Sequence, residues 1–159
     1  MKKFYIYSVI SLIVCAFASS CSKDKEEVDT TKPVIELNEP EDGDELQIGA
    51  NIHFECDFSD NVKLGSYMVE IHNNFDGHSH KAAATRASEG EQPLYLKKSF
   101  DLSGMRNAHV HHHDIFIPEN TKPGTYHLMV YCTDAAGNQS VVAREVVLSH
   151  DAPEHEHED

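Results

Sequence analysis

The sequence predicts an all-β fold, an immunoglobulin-like antiparallel β-sandwich of about seven strands. Three observations lead there. Short segments rich in Val, Ile, Phe and Tyr alternate with polar residues at a period of two. Turn formers separate them, among them Pro40, the run Glu41-Asp42-Gly43-Asp44, Pro118, and Asp134-Ala135-Ala136-Gly137-Asn138. No segment carries apolar residues at convincing helical spacing, and strands without helices build two packed sheets.

The elements follow in order. Val34-Ile35-Glu36-Leu37 is a first strand, closed by Pro40 and the acidic turn after it. Ile52, Phe54, Cys56 and Phe58 mark a half-buried second strand. Tyr67, Val69 and Ile71 form the inner face of a third, with Met68, Glu70 and His72 outward. Leu94, Leu96, Phe100 and Leu102 belong to a fourth, and Ile115-Phe116-Ile117 ends a fifth at Pro118. Tyr126, Leu128, Val130 and Cys132 give a long sixth strand, and Val141 to Leu148 returns. The stretch Gly124 to Asn138 looks like the final hairpin of bacterial immunoglobulin-like domains.

The ends carry different signals. Met1-Lys2-Lys3 is basic, residues 4–17 are apolar but too short to span a bilayer, and Ala18-Ser19-Ser20-Cys21 places small residues before a cysteine. This is the pattern of a lipoprotein signal peptide over residues 1–20, with Cys21 as the acylated residue and the anchor to the outer membrane. It resembles the bacterial lipobox, with Ala18 where leucine is usual. Residues 21–32 are too polar to fold and form an acidic tether. It is similar to the export signal of surface lipoproteins in Bacteroidota, so cell-surface display is preferred to a periplasm-facing position. The sandwich is expected over 33–149 and a disordered His/Glu tail over 150–159.

Charge excludes one class of partner. The chain has 13 Lys and Arg against 27 Asp and Glu, a formal charge of −14. Lys2 and Lys3 leave with the signal, which has no acids, and that moves the charge to −16. No basic face exists to neutralise phosphates, so nucleic acid is excluded, whereas a cation suits the field.

Two of the four cysteines, Cys15 and Cys21, belong to the export signal. Cys56 and Cys132 share the parity of core residues and lie near the ends of their strands. In the immunoglobulin order those ends meet at one pole. An inter-sheet disulfide is therefore expected, which would stabilise by about 2–5 kcal/mol. The chain has no tryptophan, and Tyr126 does not stand two residues before Cys132, so the domain is not of the antibody type.

The twelve histidines are the strongest chemical signal. Imidazole is the commonest protein ligand for zinc and copper. His72 and His127 fall on the outward faces of strands that are antiparallel neighbours, where opposed Cβ atoms lie about 5 Å apart. His78 and His80 leave the sheet at the same pole and are expected to fold over that pair. His109, His111 and His113 pose a problem of parity. If Ile115 and Ile117 face the core, so do these three; if Phe116 and Val110 face it, so do His112 and Asp114. Either register buries polar groups unless the strand is bulged or runs past the core. The expected metal ligands are thus His72, His78, His80, His109, His111, His113 and His127, with zinc or copper as the ion. Met68 and Met129 near His127 favour copper. Asp57, Asp60 and Asn61 share a pole with Asp134 and Asn138, but such residues more often cap turns, and calcium is not expected there.

At Ile71 to His80 and Asn107 to Pro118 the chain resembles a family of Bacteroidota lipoproteins known as domain of unknown function 4625. The similarity runs from about Asp29 to Leu148. It implies an immunoglobulin-like exported lipoprotein and supplies neither activity nor site residues. Three functions compete. The first is a surface protein that binds zinc or copper and serves metal uptake, with an outer-membrane receptor as its partner. The second is an adhesion or glycan-binding module, against which the lack of tryptophan speaks. The third, a metal-dependent hydrolase, lacks a nucleophile arrangement or an H-E-x-x-H helix, so no enzyme is expected.

Overall fold

The computed structural model describes residues 28–74 and 90–153. Among the described residues, eight strands are present: β1 (Val34–Glu39), β2 (Glu45–Gln47), β3 (Asn51–Ser59), β4 (Leu64–Asn73), β5 (Tyr95–Asp101), β6 (Asn107–Phe116), β7 (Gly124–Asp134) and β8 (Gln139–Ser149). One sheet has the order β1-β3-β6 and the other β2-β8-β7-β4-β5. All pairings are antiparallel except β2 with β8. This is the two-sheet immunoglobulin-like arrangement that the alternation predicts.

Strand β2 was not foreseen. Its three residues lie just past the acidic turn, too short a run for alternation to register, and Leu46 alone turns inward. Strand β6 is also longer than expected, because the histidine run itself pairs with β3.

The core lies between the sheets. Phe54, Cys56 and Phe58 from β3 meet Val69 and Ile71 from β4 and Leu128, Val130 and Cys132 from β7, all fully buried or nearly so. Each large apolar side chain enclosed in this way contributes about 1.5–3 kcal/mol. Tyr67 stacks on Phe58 and Phe100 with centroids 4.8 and 4.7 Å apart. Tyr126 is buried at the start of β7, where its hydroxyl donates to the Lys122 carbonyl (2.7 Å) and accepts from the Leu94 amide (3.2 Å). That reach back along the chain is the tyrosine-corner contact of immunoglobulin sandwiches, made here without the cysteine spacing that usually marks it.

Gly65 occupies the register shift between β4 and β7. A Cβ there would stand 2.9 Å from the carbonyl oxygens of Thr133 and Asp134, so only glycine lets the two backbones approach this closely.

The cysteine expectation needs correction. Cys56 and Cys132 both point into the core at zero exposure, as parity requires, but they are free thiols and no disulfide joins them. Parity fixes the face of a strand and not the separation across it. A disulfide also needs a specific distance and direction between the two Cβ atoms, which face parity does not supply.

Both predicted ends are partly anchored. Asp29, assigned to the tether, accepts the Asn61 side-chain amide at its carboxylate (3.1 Å) and that of Asn138 at its carbonyl (3.1 Å). In the tail, the His150 carbonyl accepts from Gln47 (2.9 Å), and Ala152 is buried. Cys21, the signal peptide, His78, His80, His155 and His157 lie outside the described residues.

Candidate metal centre

Strand β3 alternates strictly, so with Ile52 and Phe54 inward, His53, Glu55 and Asp57 point out of the three-stranded sheet. Strand β6 lies beside it. Phe54 pairs with His112 and Ile52 with Ile115, so one extra residue of β6 stands opposite His53. This β-bulge resolves the parity problem. Before it, the odd-numbered His109, His111 and His113 are exposed; after it, the odd-numbered Ile115 and Ile117 are buried. No imidazole of these three enters the core.

The bulge gathers His111 and His113 around His53. Ring centroids are 4.6 Å apart for His53 and His111, 5.0 Å for His53 and His113, and 5.8 Å for His111 and His113. One ring nitrogen from each lies within 4.8 Å of the other two. Two imidazoles on one zinc, each about 2.0–2.1 Å from it, are separated by no more than about 4 Å, so small rotamer adjustments bring this trio to ligand spacing. Glu55 adds a carboxylate: it pairs across the strands with His111, and its Oε2 lies 4.0 Å from His53 Nε2.

His53 was absent from the residues nominated by sequence. It stands alone between two core residues, outside every histidine cluster. The available signal was its parity with Glu55, combined with the pairing of β3 and β6.

The other nominated histidines separate. His109 sits on the same face but is engaged elsewhere, its Nδ1 2.9 Å from Asp57 Oδ1. Hydrogen bonds from Asn38 and His109 hold the Asp57 carboxyl below its ordinary pKa. His112, the one member of the run that turns inward, packs on Phe54 and Phe100 with centroids 5.2 and 4.7 Å away.

His72 and His127 lie on the outer face of the five-stranded sheet. They are directly paired, with ring centroids 5.5 Å apart and nearly perpendicular planes. His72 Nδ1 is 3.2 Å from Glu70 Oε1, close enough for an ion pair but without hydrogen-bond alignment, and Glu70 also holds Lys97 at 2.9 Å. Glu145 flanks His127 on its other side. The nominated histidines therefore fall into two groups on opposite faces of the sandwich: His111 and His113, joined by His53, on one, and the pair His72 and His127 on the other.

The sequence model of a family described as a domain of unknown function, DUF4625, matches residues 19–149. The chain belongs to this family. The DUF4625 match covers both histidine faces and every described strand. No curated protein matches the chain in sequence.

Proposed function

We propose that this DUF4625 protein is an exported, lipid-anchored surface protein that binds zinc or copper through His53, His111 and His113. The observation that carries the reading is the convergence of these three imidazoles, from two strands, on one exposed sheet face. Three neutral nitrogen donors suit either ion, and they leave a coordination position open to water or to Glu55. An open, surface-exposed centre fits capture and transfer to an outer-membrane receptor better than a closed structural site. The excess of acidic residues raises the local concentration of cations around it. His72 and His127, with Glu70 and Glu145 beside them, form a weaker second position, since two imidazoles alone hold an ion less firmly.

The test is a calorimetric titration of the untagged protein, truncated after His150, with zinc and with copper. The expected result is submicromolar, one-to-one binding that weakens at least tenfold with His53→Ala or His111→Ala and little with His127→Ala. Loss with His127→Ala alone would move the site to the other face. No binding of either metal would end the reading and leave adhesion as the function to examine.

A further inference from the structure

At the pole where β3 leads into β4 and β7 into β8, three carboxylates converge from distant parts of the chain. Asp60 follows β3, Asp134 ends β7, and Asp29 precedes β1. One oxygen from each lies within 4.8 Å of the other two. Asp60 is only 9% exposed and Asp134 4%. Among the described residues, no lysine or arginine forms an ion pair with any of the three.

Turn capping accounts for part of this cluster. Asp60 Oδ2 accepts the amides of Val62 and Lys63, both at 2.8 Å. Asp134 Oδ1 accepts those of Ala136 and Asn138, and its Oδ2 the Asn138 side chain at 2.7 Å. Burial pushes the Asp134 carboxyl up, but these bonds from Asn138 and the backbone outweigh it and hold the pKa below the ordinary value. Capping leaves one atom unexplained. Asp60 Oδ1 is buried without any hydrogen-bond partner. With Oδ2 turned to the backbone, Oδ1 is the oxygen left to serve the trio. A buried carboxylate oxygen without a hydrogen-bond partner, set beside two other carboxylates, calls for a cation.

We propose that Asp29, Asp60 and Asp134 form a calcium site that clamps the segment before β1 onto the end of the sandwich. Ligands placed 2.3–2.6 Å from one calcium ion are separated by at most about 5 Å, which the trio satisfies. An all-oxygen donor set selects calcium over the ions suited to imidazole, so this site is independent of the histidine face. Calcium takes six to eight oxygens, and water at the open side of the pole supplies those the carboxylates do not. Affinity in the range of roughly 0.1–1 mM, typical of extracellular modules, suits an exported protein. The sequence favours turn caps at this pole because it shows neither the return of Asp29 to it nor the orphaned oxygen.

The experiment follows thermal unfolding of the full chain, purified in mild detergent and stripped with chelator, as calcium or magnesium is added to 10 mM. Calcium is expected to raise the midpoint by several degrees and magnesium by much less. Asp29→Asn, which alters no strand, should abolish the calcium increment, and Asp60→Asn should do the same. If Asp60→Asn fails to fold, Asp29→Asn alone decides. No rise with calcium, an equal rise with magnesium, or a full rise in Asp29→Asn would overturn the proposal. Zinc binding by the same variants should be unchanged, which separates this site from the histidine trio.

Discussion

The Tyr67 hydroxyl lies 2.8 Å from His112 Nε2 inside the sandwich, although both sequence neighbours of His112 face outward. The Asp114 backbone amide donates to His112 Nδ1 at 3.2 Å. Nδ1 is therefore the acceptor, and Nε2 carries the proton and donates it to the tyrosine oxygen. This contact spans the two sheets near their open side. There β6 and β5 are both edges, and Lys98 reaches across to the Asp114 carbonyl.

Burial lowers the His112 pKa, against an opposing influence from Asp114. The folded state thus prefers the neutral ring, while the unfolded chain titrates near about 6.5. The stability that follows is fully present above that pH and is lost as pH falls from it toward the lower folded value. By NMR titration, His112 should show a midpoint below the ordinary histidine value of about 6.5. In chelator, His112→Gln should flatten the decline of the unfolding midpoint below pH 6.5. An unchanged decline would assign it to other groups.

Tyr126 closes the corner between β6 and β7 with two backbone hydrogen bonds. Tyr126→Phe keeps the ring and removes both, leaving the Leu94 amide and the Lys122 carbonyl to find other partners. The expected cost is about 1–3 kcal/mol. Urea unfolding should show a lower midpoint with an unchanged m-value. A loss below about 0.5 kcal/mol would mean that water replaces the hydroxyl without penalty.

The core thiols should be inert. Burial, assisted by Asp57 and by Cys132 itself, pushes Cys56 up to about 12. Burial, with Asp60 and Asp134, pushes Cys132 up to about 11. Since the thiolate is the nucleophile, neither should react with Ellman's reagent at pH 8 in the folded protein. In a Cys15→Ser, Cys21→Ser background, two thiols should appear on denaturation without reductant. Finding none would establish a disulfide in place of the free pair.

Much of the fold is legible because alternation reports directly on burial. Phe54, Cys56 and Phe58, or Leu128, Val130 and Cys132, must face inward whichever strands they pair with. The pairing of His72 with His127 was legible for the same reason, as both lie on long, regular neighbouring strands. The histidine run was not, because an inserted residue in β6 changes parity without leaving a local mark between His112 and Ile115. Asp29 was hidden for another reason: its chain segment is polar and reads as tether, yet two asparagine side chains hold it.

By itself the sequence determined the sandwich, the inward and outward faces of its strands, and a surface rich in imidazole and carboxylate. Those properties follow from periodicity, which is local. The tertiary structure decided which donors meet. It put His53 between His111 and His113, sent His72 and His127 to the opposite face, left Cys56 and Cys132 unjoined, and brought Asp29 to Asp60 and Asp134. Each of these depends on strand register or on a chain reversal, and the distances they set between residues far apart in sequence are fixed only when the whole core packs.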